Sequence, residues 1–211
     1  MILHDYFRSS AAYRVRIALN LKGLEPERRH VHLRKGEQRA PGYLEINSQG
    51  FVPTLVVGDT VLTQSLAIIE YLDETHPSPP LLPRAPADRA FVRAIALAIA
   101  CDIHPLNNTR VLKYLASECK LDEPARDEWY RHWIREGFAA IESRLAKRAA
   151  GAFALGDAPT VADICIVPQV ANANRLKVSL DPYPRIRAVN AACLAHAAFD
   201  RARPEVQPDA E

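Results

Sequence analysis

The sequence predicts an α/β domain followed by an all-α domain. Three observations carry this. Short β-prone runs alternate with helical runs as far as His76, a proline-rich stretch follows, and no lasting strand pattern appears after it. The expected division is an α/β domain at residues 1–76, a proline-rich linker at 77–87 and a helical domain at 88–211.

In the first half, Ile2–Phe7 reads as a strand. Ser9 and Ser10 offer an N-cap, Val15, Ala18, Leu19 and Lys22 follow at helical spacing, and Gly23 stops the helix. Arg29–Leu33 alternates like a second strand, and residues 34–50 are loop-like with at most a short helix around Tyr43-Leu44. Pro53–Val57 is β-rich, Gly58-Asp59 turns the chain, and Thr60–Leu62 returns. Gln64-Ser65 opens a helix whose apolar side is Leu66, Ile69 and Leu72, with Ile68 and Tyr71 beside them. The order is β-α-β, a β-hairpin, then α.

Prolines 77, 79, 80 and 83 remove backbone donors and fix φ, so this stretch is linker. Asp88–Leu115 then reads as helix kinked at Pro105, and Pro124–Ala149 as a second long helix with Trp133, Phe138, Ile141 and Leu145 at core spacing. Thr160 to Asp163 has capping-box spacing ahead of an apolar helix over Ile164–Ala173. The tail after Arg203 is polar and proline-rich and is expected to fray.

The 211 residues carry 27 basic and 25 acidic side chains, and the nine of each sign before His76 cancel. Nothing here favours nucleic acid or an anionic membrane as partner. No apolar stretch is expected to span a bilayer, and Met1–Tyr6 has no secretory pattern, so the chain reads as cytoplasmic. Cys101, Cys119, Cys165 and Cys193 are scattered without a C-x-x-C pair. They read as buried thiols in a reducing compartment, with no metal site.

Three short segments can carry chemistry. A proline at the entrance of a β run is awkward for pairing. A cis Val52–Pro53 bond resolves it by turning the Val52 backbone toward an open face, where an extended peptide could pair; an edge-strand proline is the other reading. Gln64-Ser65 stands at a helix N-terminus, which binds carboxylates through free N–H groups and the helix dipole, or is simply a cap. Ser9-Ser10 stands at another. A hydroxyl there can donate to a bound thiolate and favour its ionised form, and capping is compatible with that.

In order along the chain, these segments resemble a known family. Phe7–Leu19, Asn47–Leu55 and Leu62–Leu72 are similar to signatures of the zeta class of glutathione transferases. So are His104-Pro105-Leu106-Asn107-Asn108, Gly156-Asp157 with Thr160–Asp163, and Asn172–Arg175. The resemblance covers nearly the whole chain. It implies a thioredoxin-like N-terminal domain, a C-terminal helical domain, a homodimer, glutathione as cofactor, and maleylacetoacetate or maleylpyruvate isomerisation. By position, Ser9 or Ser10 would contact the glutathione sulfur, and the backbone at Val52-Pro53 would pair with the tripeptide's cysteine. Gln64 and Ser65 would hold the γ-glutamyl carboxylate, and Gln38 and Gln49 would face the glycyl end. His104 and Asn108 would contribute from the second domain. One departure stands out: the family usually has cysteine where this chain has Ala11, so no protein thiol is available at that position.

The implied chemistry is reversible addition of a thiolate to a cis ene-dione, rotation, and elimination to the trans isomer. Such substrates carry two acidic ends, and arginine binds carboxylates through paired hydrogen bonds. Arg8, Arg110 and Arg175 are the candidates. A transferase conjugating glutathione to electrophiles is the alternative. It would need an apolar electrophile pocket more than three arginines. A non-enzymatic module of the same fold would need neither the serines nor the arginines together. Between the two isomerase substrates, Arg110 favours maleylpyruvate.

Overall fold

The computed structural model describes residues 1–149 and 151–211. In chain order it contains β1 (Ile2–Asp5), α1 (Ser10–Lys22), β2 (Glu27–His30), α2 (Pro41–Ile46), β3 (Thr54–Val57), β4 (Thr60–Thr63) and α3 (Ser65–Thr75). Then come α4 (Pro86–Leu97), α5 (Thr109–Ser117), α6 (Glu123–Ala146), α7 (Val161–Arg175), α8 (Pro184–Leu194) and α9 (Ala197–Asp200). The chain divides into two compact units, one of Met1–Leu81 with Ala195–Glu211 and one of Leu82–Leu194. Residues 195–211, expected in the helical domain, thus belong to the first unit.

The first unit is built on a four-stranded sheet in the order β2-β1-β3-β4. β1 runs parallel to β2 and antiparallel to β3, and β3 pairs with β4 through Thr54↔Thr63 and Val57↔Thr60 across the Gly58-Asp59 turn. This is the expected β-α-β, hairpin, α order of a thioredoxin-like domain. β2 ends at His30 instead of Leu33 because it can pair only as far as β1 reaches. β1 stops at Asp5, where a turn closes with the Ser9 N–H donating to the Tyr6 carbonyl at 3.0 Å.

α1 begins at its Ser9 cap and ends at Gly23, whose φ of 66° is the left-handed conformation that glycine adopts without steric cost. It buries Ala12, Tyr13, Val15, Ile17, Ala18 and Leu19. α3 buries Ile68, Ile69 and Leu72, while Leu66 and Tyr71, expected on that face, are only half-buried. The segment 34–50 holds α2 around Tyr43-Leu44 and a short 3-10 turn at Glu37–Arg39.

In the second unit the single kinked helix expected over Asp88–Leu115 is replaced by a sequence of different helices. α4 passes into a π-helical turn at Ala98–Ile103, a 3-10 turn at Pro105–Asn107, and then α5. The His104 N–H donates to the Ile99 carbonyl five residues back, at 2.9 Å. Pro105 has no N–H with which to continue an α-ladder, so the helix widens before it and tightens after it. Contrary to expectation, Pro86–Ser117 includes an 18-residue stretch long and apolar enough to cross a membrane. Val92, Ile95, Ala96, Ile99 and Ile103 of this region are core residues of the second unit.

α6 points Tyr130, Ile134, Phe138, Ile141 and Leu145 inward. Trp133, expected in that stripe, is half-buried and one position out of register with it. α7 is buried nearly all round. At its start Asp163, fully buried, accepts from the Thr160 N–H (2.8 Å), as the capping-box spacing predicts, and also from the Thr160 hydroxyl (2.7 Å) and the Ala154 N–H (2.7 Å). Cys165 and Cys193 are buried, but Cys101 and Cys119 are exposed, against expectation. Among the described residues no group of His, Cys, Asp and Glu forms a metal cluster.

Candidate functional site

In the first unit, the β1–α1 corner carries Arg8, Ser9 and Ser10. The Ser9 hydroxyl oxygen accepts from the Ala12 N–H at 3.2 Å, so Ser9 caps α1 and its own O–H proton can still donate elsewhere. Ser10 is buried as the first residue of α1. Both hydroxyls therefore stand where the helix presents its positive end. Arg8 is exposed, with its guanidinium carbon 5.9 Å from the centre of the Phe7 ring. Ala11 places no thiol at this corner.

The Val52–Pro53 bond is cis. The last ladder pair on this side of β3 is His4↔Thr54, so Val52 lies just beyond the ladder and its backbone takes no part in β1–β3 pairing. The loop ahead of it is tightly tied. The Asn47 side-chain amide donates to the Phe51 carbonyl and to Thr54 Oγ1, both at 2.9 Å, and the Tyr43 hydroxyl donates to the Phe51 carbonyl at 2.5 Å. Burial pushes the Tyr43 phenol above its usual value, which keeps it protonated as a donor. Gly50 has φ of 62°, and a Cβ there would lie 2.7 Å from the Gln38 carbonyl oxygen. The close approach that only glycine permits thus brings the backbone of Gln38 against this loop. Gln38 Oε1 is buried and has no hydrogen-bond partner among the described residues.

Gln64 is not the ordinary cap that its position suggests. It holds φ of 67°, costly for a residue with a Cβ by about 1–3 kcal/mol, and its side chain caps no N–H of α3. Instead its Nε2 donates to Gln49 Oε1 at 3.0 Å, which joins two of the expected binding residues. Ser65, the first residue of α3, accepts at Oγ from Arg14 Nη1 at 3.3 Å. Arg14 is 2% exposed and was missed by sequence reasoning. A charged side chain three and four places before apolar Ile17 and Ala18 of α1 was the available signal.

The second unit carries the other expected residues. His104 closes the π-helical turn, and Asn108 caps α5 by accepting at Oδ1 from the Arg110 N–H at 3.1 Å. Arg110 itself is exposed. Arg175, exposed at the last turn of α7, donates from Nη2 to the Tyr130 hydroxyl at 3.2 Å, and its guanidinium carbon lies 5.3 Å from the centre of that ring. The Tyr130 carbonyl in turn accepts from Asn107 Nδ2 at 3.3 Å, and Trp129 Nε1 donates to the Leu106 carbonyl at 2.9 Å. Neighbouring residues of α6 thus tie the turn between His104 and Asn108 to Arg175. Burial raises the Tyr130 phenol above its usual value, against the opposing charge of Arg175.

The glutathione S-transferase N-terminal domain family matches residues 8–75, and the glutathione S-transferase C-terminal domain family matches residues 123–192. The maleylpyruvate isomerase of Ralstonia sp is 49% identical over 212 residues, covering 99% of each chain. The holo structure of a maleylpyruvate isomerase, a bacterial zeta-class glutathione S-transferase, is 48% identical with a TM-score of 0.98, covering 100% of both chains. The chain belongs to the zeta-class glutathione transferases. This zeta-class chain is also similar to the maleylacetoacetate isomerase of Methylobacterium extorquens AM1, solved with bound malonate and glutathione. That structure is 40% identical with a TM-score of 0.97, covering 100% of both chains.

Proposed function

We propose that this zeta-class chain is a cytoplasmic, homodimeric, glutathione-dependent cis–trans isomerase of ene-dione dicarboxylates. It would convert maleylpyruvate to fumarylpyruvate or maleylacetoacetate to fumarylacetoacetate. The full-length likeness to isomerases of both names carries this reading. The first unit fits a bound tripeptide. Val52 offers backbone groups outside the ladder, Ser65 opens an eleven-residue helix suited to a carboxylate, and buried Gln38 Oε1 awaits a partner.

In this reading Ser65, the α3 N–H groups and Gln64 hold the γ-glutamyl carboxylate. Val52 pairs with the cysteinyl backbone ahead of Pro53. Gln38 and Gln49 face the glycyl end, and His104 and Asn108 contribute from the second unit. Ser9 or Ser10 donates to the sulfur, and the α1 N-terminus favours its ionised form. When bound, glutathione supplies a thiolate that adds reversibly to the activated double bond. Arg8, Arg110 and Arg175 bind the substrate's acidic ends. Tyr130 leaves the Arg175 guanidinium exposed while fixing its direction. We favour maleylpyruvate as the better substrate, because Arg110 supplies an additional cation for a carboxylate close to the ene-dione.

The test is the pair Arg110→Ala and Arg175→Ala, assayed on both compounds. Each removes a charge-assisted contact of about 1.5–3 kcal/mol, so kcat/KM should fall about 10- to 100-fold. Unchanged values for both variants on both substrates would make the conjugating transferase the better reading. The homodimer is tested separately: the mass in solution at micromolar concentration should be twice that of the 23.5 kDa chain, and a monomer mass would contradict it.

A further inference from the structure

The tail that was expected to fray is bonded into the first unit beside the serine corner. Gln207 is buried; its Nε2 donates to the Arg201 and Arg203 carbonyls at 2.9 and 2.7 Å, and its Oε1 accepts from Arg28 Nη1 at 3.0 Å. Two residues on, Asp209 Oδ2 accepts from the Phe7 N–H at 2.9 Å. Glu211 pairs with His32, and Arg34 stands 3.6 Å away.

Phe7 lies in the turn that delivers Arg8, Ser9 and Ser10. Arg16 holds the other side of the same turn. Its Nη2 donates to the Phe7 carbonyl at 2.9 Å and its Nη1 to the Tyr6 carbonyl at 3.4 Å, while its Nε donates to the Ala202 carbonyl at 3.1 Å. Arg16 is anchored by fully buried Asp5 at 3.3 Å, which also pairs with Arg28 at 2.5 Å. His30 Nδ1 lies 3.3 Å from Asp209 Oδ1 and 3.4 Å from Asp5 Oδ1. The titratable and charged groups around Asp209 and its neighbours include Asp5, Tyr6, Arg16, Arg28 and His30. Between them, Arg16 of α1 and Asp209 of the tail bond both polar backbone groups of Phe7, and the bond to the Phe7 N–H comes from outside both the sheet and α1.

We propose that Asp209 is a positioning residue for glutathione activation: by accepting from the Phe7 N–H it fixes the β1–α1 turn, and with it the hydroxyl that faces the sulfur. The inference rests on the proposed function, because it concerns the serine–thiol contact of that same site. A loosened turn lets the hydroxyl swing away, and the bound thiol then ionises less readily.

The experiment measures the pH dependence of kcat/KM with glutathione saturating, together with the ultraviolet absorbance of the bound thiolate. It compares the full-length protein with Asp209→Ala and Asp209→Asn. In Asp209→Ala the acid limb should move up by about one unit, about a tenfold loss of rate below the thiol's pKa. Asp209→Asn keeps an oxygen for the Phe7 N–H and should recover most of that loss. Thermal unfolding of the same variants registers any purely structural effect. An unmoved acid limb in Asp209→Ala, whatever its melting temperature, overturns the proposal, and so does an equal shift in both variants. Should Asp209→Ala fail to fold, Asp209→Ser, too short to reach Phe7, takes its place; failure of both to fold makes the tail a structural element and also overturns it. If the unaltered protein shows no glutathione-dependent isomerisation, it is the proposed function that fails.

Discussion

Isomerisation should stop when glutathione is withdrawn and return in full when it is restored. The expectation follows from what the β1–α1 corner lacks. Addition to an ene-dione needs a nucleophile that can also leave, and a thiolate serves both ends. Ala11 supplies none, and Cys165 and Cys193 are buried in the second unit's core. Burial moreover holds the Cys193 thiol far above its ordinary value, with Asp163 adding to the shift, so it stays protonated. Cys101 and Cys119 are exposed and belong to segments other than the β1–α1 corner. The measurement is the rate with glutathione-free protein on both maleylpyruvate and maleylacetoacetate. Activity that persists at a tenth or more of the full rate, roughly 1.4 kcal/mol in barrier, would mean that a group of the protein itself does the chemistry.

Replacing Ser9 or Ser10 with alanine should raise the pKa of the bound thiol. A hydrogen bond to a charged group contributes roughly 1.5–3 kcal/mol, so the rise should be about one to two units and the rate near neutral pH should fall about 10- to 100-fold. Dicarboxylate affinity should change little, since the arginines hold it. The structure separates the two serines in one respect. Ser9 carries the helix cap, so Ser9→Ala should also cost about 1 kcal/mol of stability. Measuring the thiolate absorbance against pH, beside thermal unfolding, resolves the two effects. A bound-thiol pKa unchanged from that of the unaltered protein in both variants would remove the serines from sulfur activation.

What could be read from the sequence was what local rules govern. Ser9 at a cap, Gly23 in the left-handed conformation, the Gly58-Asp59 hairpin and the Thr160–Asp163 box depend on residues a few places apart, and each stands as expected. The contacts that were missed join distant residues. Arg14 meets Ser65 51 positions away, Arg175 meets Tyr130 45 away, and Phe7 meets Asp209 202 away. No period or cap marks such pairs. Gln64, left open in the sequence between binding a carboxylate and capping, does not cap α3: its φ is positive and its side chain meets Gln49. The helix expected through Pro105 was right about where the ladder must fail and wrong about how, because the chain widened into a π-turn six residues long before the proline. The polar tail looked like a fraying end because its partners, Phe7, Arg28 and His32, lie at the far end of the chain.

Isomerisation and conjugation by the same fold differ in the fate of one thiol. The decisive measurement follows free glutathione and the trans product together through many turnovers of maleylpyruvate. An isomerase returns the thiolate each time the double bond re-forms, so total free thiol should stay constant while trans product accumulates far beyond the amount of glutathione present. Loss of one thiol for each substrate consumed would contradict this account and make the protein a conjugating transferase.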